Sequence, residues 1–235
     1  IVKKNIGILN DRIFTFSRGL SHKDSKLAEI NPSLRKLNNF LTLKNSPVLN
    51  KYNFTYDNSK LSLKLNDKVI ISVLVDDQEQ VLNLSKVLTD LESSLIKPIN
   101  LLKNNKFPFF DTSHSNNIFN SMSLINLNSI NDFEKKINKK IEFQRFRGNF
   151  YVQGIDAWEE RNWINKIITI NKVPFKVEKN IPRCVAINLK PRSDDNSLNL
   201  LTSLKKTYNH FDMGLYLTPM DDAKIEVGNK VELSY

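Results

Sequence analysis

A single cysteine, Cys184, is the feature that most constrains how this 235-residue chain can fold. One thiol cannot close an internal disulfide, and it cannot supply a cysteine-rich zinc site. The three histidines, His22, His114 and His210, lie far apart in the sequence and lack the spacing of metal ligands. The chain must therefore rely on a buried apolar core, and we expect a reducing, cytoplasmic compartment.

The composition is that of a soluble globular protein, with 40% hydrophobic and 26% charged residues. The length allows one large domain or two small ones. No apolar run is long enough to span a bilayer, so we predict no transmembrane segment. The first four residues are not followed by the apolar stretch that a signal peptide needs.

The formal net charge of +10 leaves two interpretations open. An excess of this size is typical of nucleic-acid-binding proteins. It also fits a lysine- and asparagine-rich protein with a solvated basic surface. Because the lysines are scattered and no nucleic-acid-binding module is recognisable, we predict no nucleic-acid partner. The six glycines form neither a dinucleotide-binding fingerprint nor a P-loop.

Short apolar runs predict strands through much of the chain. The predicted strands have alternating or continuous apolar character and are residues 12–16, 61–65, 69–75, 168–170, 173–177, 225–227 and 230–233. Turns at Asn66-Asp67, Asn171-Lys172 and Gly228-Asn229 are expected to join successive pairs as hairpins. Residues 18–39 are polar and are predicted to form an excursion.

Helices are predicted at three places. Asp77 is a good N-cap with Gln80 as its capping-box partner, and the apolar residues that follow share one face. Ser129 with Asp132 predicts the start of a second helix, and a short third helix covers residues 198–206. These elements predict a mixed α/β, strand-rich fold: a β-barrel with peripheral helices.

Two segments contain the candidate binding residues. Arg183 directly precedes Cys184, and Arg145, Arg147 and Asn149 lie together in an upstream segment. A thiolate binds thiophilic metals, and guanidinium groups bind phosphate and other oxyanions. This combination suits an anionic cofactor that carries a metal.

These segments, RFRGN at 145–149 and PRC at 182–184, resemble the MOSC domain, named after the C-terminal part of molybdenum cofactor sulfurase. The similarity extends to FFDTS at 109–113. DRIF at 11–14 and FLTLKNSPVL at 40–49 resemble the N-terminal β-barrel domain that often precedes MOSC. The pattern is most similar to the amidoxime-reducing type. The resemblance implies two domains, an N-terminal β-barrel-like domain at residues 1–102 and a MOSC domain at residues 103–235.

The resemblance also implies roles for individual residues. Cys184 would be the protein ligand to molybdenum, with Arg183 helping to keep the thiolate charged. Asp111 would lie near the metal and carry protons. The residues implied to bind the molybdenum cofactor (molybdopterin) are Arg12, Thr112, Ser113, Arg147, Asn149 and Arg183. Pyridoxal phosphate binding is implied through sulfurase relatives, although no lysine has the context of a Schiff base.

Each candidate residue also has a structural alternative. Cys184 can be a small buried apolar residue, and Thr112-Ser113 can be an ordinary turn. The remaining alternatives are a surface ion pair between Asp11 and Arg12, a salt bridge from Arg145 or Arg147 to Glu159 or Glu160, and core packing of Trp158 and Trp163.

The implied function is an oxidoreductase that reduces a small N-oxygenated substrate. No sequence for haem, flavin or iron–sulfur binding is recognisable, so electrons would come from a separate donor protein. The alternatives are a non-redox module that carries or transfers the cofactor or sulfur, and a basic nucleic-acid-binding module.

The chain also departs from the family pattern at three points. Gly148 stands where the family has proline, and Pro182 stands where the close reductases have a small hydroxyl residue. The family's Lys-Ser segment before DRIF is missing, so either an N-terminal piece was lost or the protein lacks that contact. We expect an incomplete N-terminal domain and weaker cofactor binding.

Overall fold

The computed structural model describes residues 1–4, 7–109 and 122–234. The strands of this part of the chain are β1 Val2–Lys3, β2 Gly7–Ile8, β3 Phe14–Phe16, β4 Tyr52–Asp57, β5 Lys60–Leu65, β6 Lys68–Leu74, β7 Leu101–Lys103, β8 Met122–Asn126, β9 Phe150–Val152, β10 Ile167–Ile170, β11 Val173–Pro182, β12 Asp212–Pro219 and β13 Val231–Ser234. Its α-helices are α1 His22–Ile30, α2 Gln78–Leu91, α3 Leu127–Ile137 and α4 Leu200–Tyr208. The predicted mixed α/β, strand-rich fold class is confirmed.

The chain divides into two compact units. The first unit contains the described residues of 1–11, 110–188 and 197–235, and the second contains 12–109 and 189–196. The predicted domain boundary after residue 102 stays a prediction. No helix in the described ranges is both long and apolar enough to cross a membrane.

The first unit is built around a curled six-stranded sheet in the order β13-β10-β11-β12-β8-β9. The neighbours pair antiparallel except β8 and β9, which are parallel and connected through α3. One apolar cluster contains Leu124, Phe175 and Leu215. A second cluster contains Ile125 and the residues that pack α3 and α4, such as Phe133. Leu124 and Ile125 belong to different clusters because successive side chains of a strand point to opposite faces.

Strand β11 leads directly to the candidate site. It is joined to β10 by Asn171 and Lys172, whose φ angles of 52° and 66° form the predicted hairpin turn. The pairing of β11 with β12 shifts register twice before β11 ends at Pro182. Such irregularities bend a strand and redirect the residues that follow it. Those residues are Arg183 and Cys184.

The second unit contains two small antiparallel sheets, one of β4, β5 and β6 and one of β3 and β7. The predicted turn at Asn66-Asp67 is confirmed, with φ angles of 50° and 60°. The predicted N-cap is confirmed as well, because the Asp77 carboxylate accepts hydrogen bonds from the Glu79 and Gln80 amides at 3.1 Å. The N-terminal β-barrel that the resemblance implies stays a prediction.

One expectation about the C-terminal end of the chain needs correction. The predicted hairpin of residues 225–227 and 230–233 is wrong, because β13 pairs with β10 instead. The turn at Gly228-Asn229 closes locally, with the Asn229 side chain accepting from the Glu226 amide at 2.7 Å. Residues 18–39 contain the nine-residue helix α1, and their assignment as an excursion stays a prediction.

The predicted start of the second helix at Ser129 is also wrong. The N-cap is Asn126, whose side chain accepts from the Asn128 amide at 3.0 Å. Ser129 is fully buried, and its hydroxyl donates to the Glu160 carboxylate at 2.8 Å. A serine that binds a distant carboxylate cannot be distinguished from an N-cap by its position in the sequence.

Candidate functional site

Strand β11 ends at Pro182 and is followed by Arg183 and Cys184, both in the first unit. The Arg183 amide donates to the Phe211 carbonyl at 2.9 Å, which extends the ladder with β12 by one residue. The Cys184 carbonyl then accepts from the Ile187 amide at 3.2 Å and begins the 3-10 turn Val185–Asn188. Cys184 itself is exposed, so the alternative of a buried apolar cysteine is wrong.

The Arg183 side chain is bound by backbone carbonyls. Its Nε donates to the Met213 carbonyl at 2.7 Å, its Nη2 donates to the same oxygen, and its Nη1 donates to the Phe146 carbonyl at 2.9 Å. Burial lowers the pKa of Arg183 to about 10. Within residues 1–4, 7–109 and 122–234, no carboxylate pairs with it, and its hydrogen-bond acceptors are backbone carbonyls.

Close packing at Gly214 fixes the carbonyl environment of Arg183. Gly214 has a φ of 81°, and a Cβ atom there would approach the Leu124 carbonyl oxygen to 2.4 Å and Arg183 Nη2 to 3.2 Å. Only glycine satisfies both the left-handed backbone and this approach. A larger residue at position 214 would therefore crowd both strand β8 and the Arg183 side chain.

The segment that contains Arg145 and Arg147 contacts the turn after Cys184. Arg145 is 1% exposed, pairs with Glu142 at 2.7 Å, and donates from Nη1 to the Asn188 carbonyl at 2.6 Å. Arg147, at a left-handed φ of 47°, donates from Nη1 to the Arg145 carbonyl at 2.9 Å and the Ala186 carbonyl at 2.8 Å. The two sequence segments that were predicted to form one site therefore meet.

The guanidinium groups of Arg147 and Arg183 share one electrostatic environment with the thiol. Burial lowers the pKa of Arg147, while the nearby Cys184 and Tyr151 act in the opposite direction. Burial raises the pKa of Tyr151, and both arginines oppose that shift. Two positive groups, an exposed thiol and a phenol therefore lie within electrostatic reach of one another.

Asn149 is tied to β8. Its Oδ1 accepts from the amide and the hydroxyl of Ser123, each at 2.9 Å. Its Nδ2 makes no hydrogen bond to the residues of 1–4, 7–109 and 122–234. The Gly148 amide donates to the Tyr151 hydroxyl at 2.8 Å. Proline at position 148 could not make that hydrogen bond.

The remaining predicted site residues are not brought to this cluster by the described structure. Asp111, Thr112 and Ser113 lie outside the described residues. Arg12 belongs to the second unit, where its carbonyl accepts from the Phe109 amide at 2.8 Å. Its role at the cofactor stays a prediction.

The proposed salt bridge of Arg145 to Glu159 or Glu160 is wrong. Arg145 pairs with Glu142 instead, and Glu160 is bound by Ser129 and Asn126. Trp163 lies in the core, as expected. The Trp158 ring packs against Tyr208 with a centroid distance of 4.4 Å.

Sequence reasoning missed Tyr151 and Ser123. Tyr151 stands two positions after Asn149, so on an extended segment it lies on the same side of the chain. That spacing was the available signal. Ser123 carried no signal, because its role depends on the approach of β8 to a segment distant in sequence.

The family model of the MOSC domain matches residues 111–232 of the chain, and these residues include the whole cluster around Cys184. The chain therefore belongs to the MOSC domain family. MOSC domains are associated with binding of the molybdenum cofactor in general. No curated protein matches the chain.

Proposed function

We propose that the first unit binds the molybdenum cofactor, with the Cys184 thiolate as the protein ligand to the metal. The observation that carries the proposal is the buried positive charge of Arg183 beside the exposed thiol. A buried charge without a counter-ion is costly, and a bound anion relieves that cost. The residues therefore fit a group that combines phosphate with a thiophilic metal.

Each residue of the cluster would have a distinct task. Cys184 would bind the metal through sulfur. Arg147 and Arg183 would provide the positive field for the anionic part of the cofactor, and Asn149 Nδ2 would donate to a pterin oxygen or nitrogen. Tyr151, whose raised pKa keeps the phenol protonated at neutral pH, would remain a hydrogen-bond donor.

The family resemblance adds four residues to the proposed cofactor site. Thr112 and Ser113 would bind the cofactor, Asp111 would carry protons near the metal, and Arg12 would also bind the cofactor. The same resemblance supports an N-terminal β-barrel domain and the amidoxime-reducing type.

The reaction that we propose is the reduction of a small N-oxygenated substrate. The bound cofactor would supply a two-electron redox centre that exchanges an oxygen atom with the substrate. The chain would supply the thiolate ligand, the positive field and the protons. Electrons would come from a separate donor protein, and the net charge of +10 favours an acidic one.

The proposal is tested by the molybdenum and pterin content of the purified protein, expressed in a host that makes the cofactor. We expect near-stoichiometric loading and turnover of an amidoxime with an artificial electron donor. Cys184→Ser should lose turnover, and Val185→Ala, a change at the exposed neighbouring residue, should keep it. Loading without turnover would favour the carrier or transfer module, and retained RNA or DNA without metal would favour the nucleic-acid-binding module.

A further inference from the structure

Arg145 is a buried arginine with no assigned contact to the cofactor. Its Nε pairs with Glu142 at 2.7 Å, and its Nη1 donates to the Asn188 carbonyl at 2.6 Å. A well-packed apolar side chain often fills such a core position at lower cost than a buried ion pair. The contact that can explain an arginine at this position is therefore its hydrogen bond to the Asn188 carbonyl.

The Asn188 carbonyl lies at the end of the turn that begins at Cys184. The last carbonyls of a short helix have no partner within the helix. In the turn Val185–Asn188 two of them are bound by arginine, the Ala186 carbonyl by Arg147 at 2.8 Å and the Asn188 carbonyl by Arg145 at 2.6 Å. The two arginines of one segment therefore hold the turn from the same side.

The turn is held at its far end as well. The Asn188 side chain accepts from the Leu201 amide at 3.1 Å, in the first turn of α4. Asn188 is thus fixed through its backbone by Arg145 and through its side chain by α4. Cys184, at the other end of the turn, is exposed. The direction of its thiol therefore depends on the turn rather than on packing around the sulfur.

We propose that Arg145 is a positioning residue, which holds the turn so that the Cys184 thiol faces Arg147 and Arg183. The purpose of this geometry rests on the proposed function, but the geometry itself does not require a bound cofactor. Without Arg145, the Asn188 carbonyl would lose a charged donor and the turn would loosen. The thiol would then leave the field of the two guanidinium groups.

The test compares two alkylating reagents on the full chain, produced in a host that lacks the cofactor. Iodoacetate and iodoacetamide both react with the thiolate sulfur and release iodide, and they differ in the charge of the reagent. The ratio of the two rates at one pH therefore reports the positive field at the sulfur. The fraction of the thiol that is ionised affects both rates equally and cancels in the ratio. Two guanidinium groups in water should raise the ratio on the order of tenfold over N-acetylcysteine at low salt.

Arg145→Met should lower this ratio by about threefold or more, because the sulfur moves away from the positive groups. Arg145→Lys keeps the positive charge but loses the planar guanidinium group with its several N–H donors. It should therefore give an intermediate ratio. The matched control is Arg35→Met in the second unit. Arg35 is also partly buried and donates to backbone carbonyls, among them those of Ala28 and Phe107. Its replacement should leave the ratio unchanged even if the melting temperature falls.

A wild-type ratio in a folded Arg145→Met protein would overturn the proposal. If that variant does not fold, Arg145→Lys decides: an intermediate ratio supports the positioning role and an unchanged ratio contradicts it. The outcome is separate from the proposed function. A wild-type chain that shows the expected ratios but never contains molybdenum would refute cofactor binding and leave the role of Arg145 intact.

Discussion

The cofactor-free protein should be stabilised by oxyanions that bind beside Arg183. Burial holds the pKa of Arg183 at about 10, below its ordinary value. Because burial destabilises the charged form, the cost to folding is present at every pH below about 10. It is relieved only as the pH rises from 10 towards the ordinary pKa of arginine. At neutral pH, an anion that enters the site should recover part of that cost.

The magnitude follows from the size of the pKa difference. The lowering of the Arg183 pKa to about 10 corresponds to about 3 kcal/mol. If phosphate offsets half of this cost, the stabilisation is about 1.5 kcal/mol, which requires phosphate at roughly tenfold its dissociation constant. For a chain of this size, the melting temperature should then rise by about 3–6 °C.

The assay is thermal unfolding at pH 7.5 in chloride and in low-millimolar phosphate at matched ionic strength. Arg183→Gln should abolish the phosphate response. The control is Arg35→Gln, because burial also lowers the pKa of Arg35 but the carboxylate of Glu29 already opposes that shift. An equal response in wild type and Arg183→Gln would refute the reasoning, as would no response in wild type.

Three other changes have expected outcomes. Cys184→Ser should abolish amidoxime reduction and move the melting temperature by less than about 1 °C, because an exposed side chain contributes little packing; full activity in this variant would exclude a ligand role. Gly214→Ala should destabilise by at least about 1–2 kcal/mol in urea unfolding, because φ is 81° and Cβ would meet the Leu124 carbonyl; an unchanged midpoint would contradict this packing. Asp132→Asn should destabilise by about 1 kcal/mol or more at neutral pH. The Trp158 hydrogen bond lowers the pKa of Asp132, so the difference from wild type should disappear as the pH falls below about 4, and a difference that persists in acid would count against this account.

The parts of the fold that the sequence predicted are those set by local chemistry. Asn66-Asp67 and Asn171-Lys172 are two-residue turns in the left-handed region, where asparagine and aspartate are favoured, and both hairpins form. Asp77 caps α2 for an equally local reason. Each of these features depends on a few successive residues.

The parts that were not predicted depend on partners distant in sequence. The edge strand β13 pairs with β10 across the sheet, although its own turn signal at Gly228-Asn229 is strong. The roles of Ser123 and Tyr151 arise only when β8 approaches the segment after Arg147.

The candidate site divides in the same way. The association of Cys184, Arg183, Arg147 and Asn149 was indicated by residue types that suit an anionic metal cofactor, and the structure places them in one unit. The acceptors of the arginines were not predictable, because they are backbone carbonyls such as that of Met213 and have no side-chain signature. The residue types therefore indicate which side chains cluster, and the fold determines which backbone carbonyls each arginine contacts.

The central claim is that Cys184 provides a sulfur ligand to molybdenum, and X-ray absorption at the molybdenum edge tests it most directly. The protein should be isolated from a host that makes the cofactor, with wild type and Cys184→Ser compared at equal metal content. The account predicts one more sulfur neighbour of the metal in wild type than in Cys184→Ser. Equal sulfur coordination in the two proteins would contradict it.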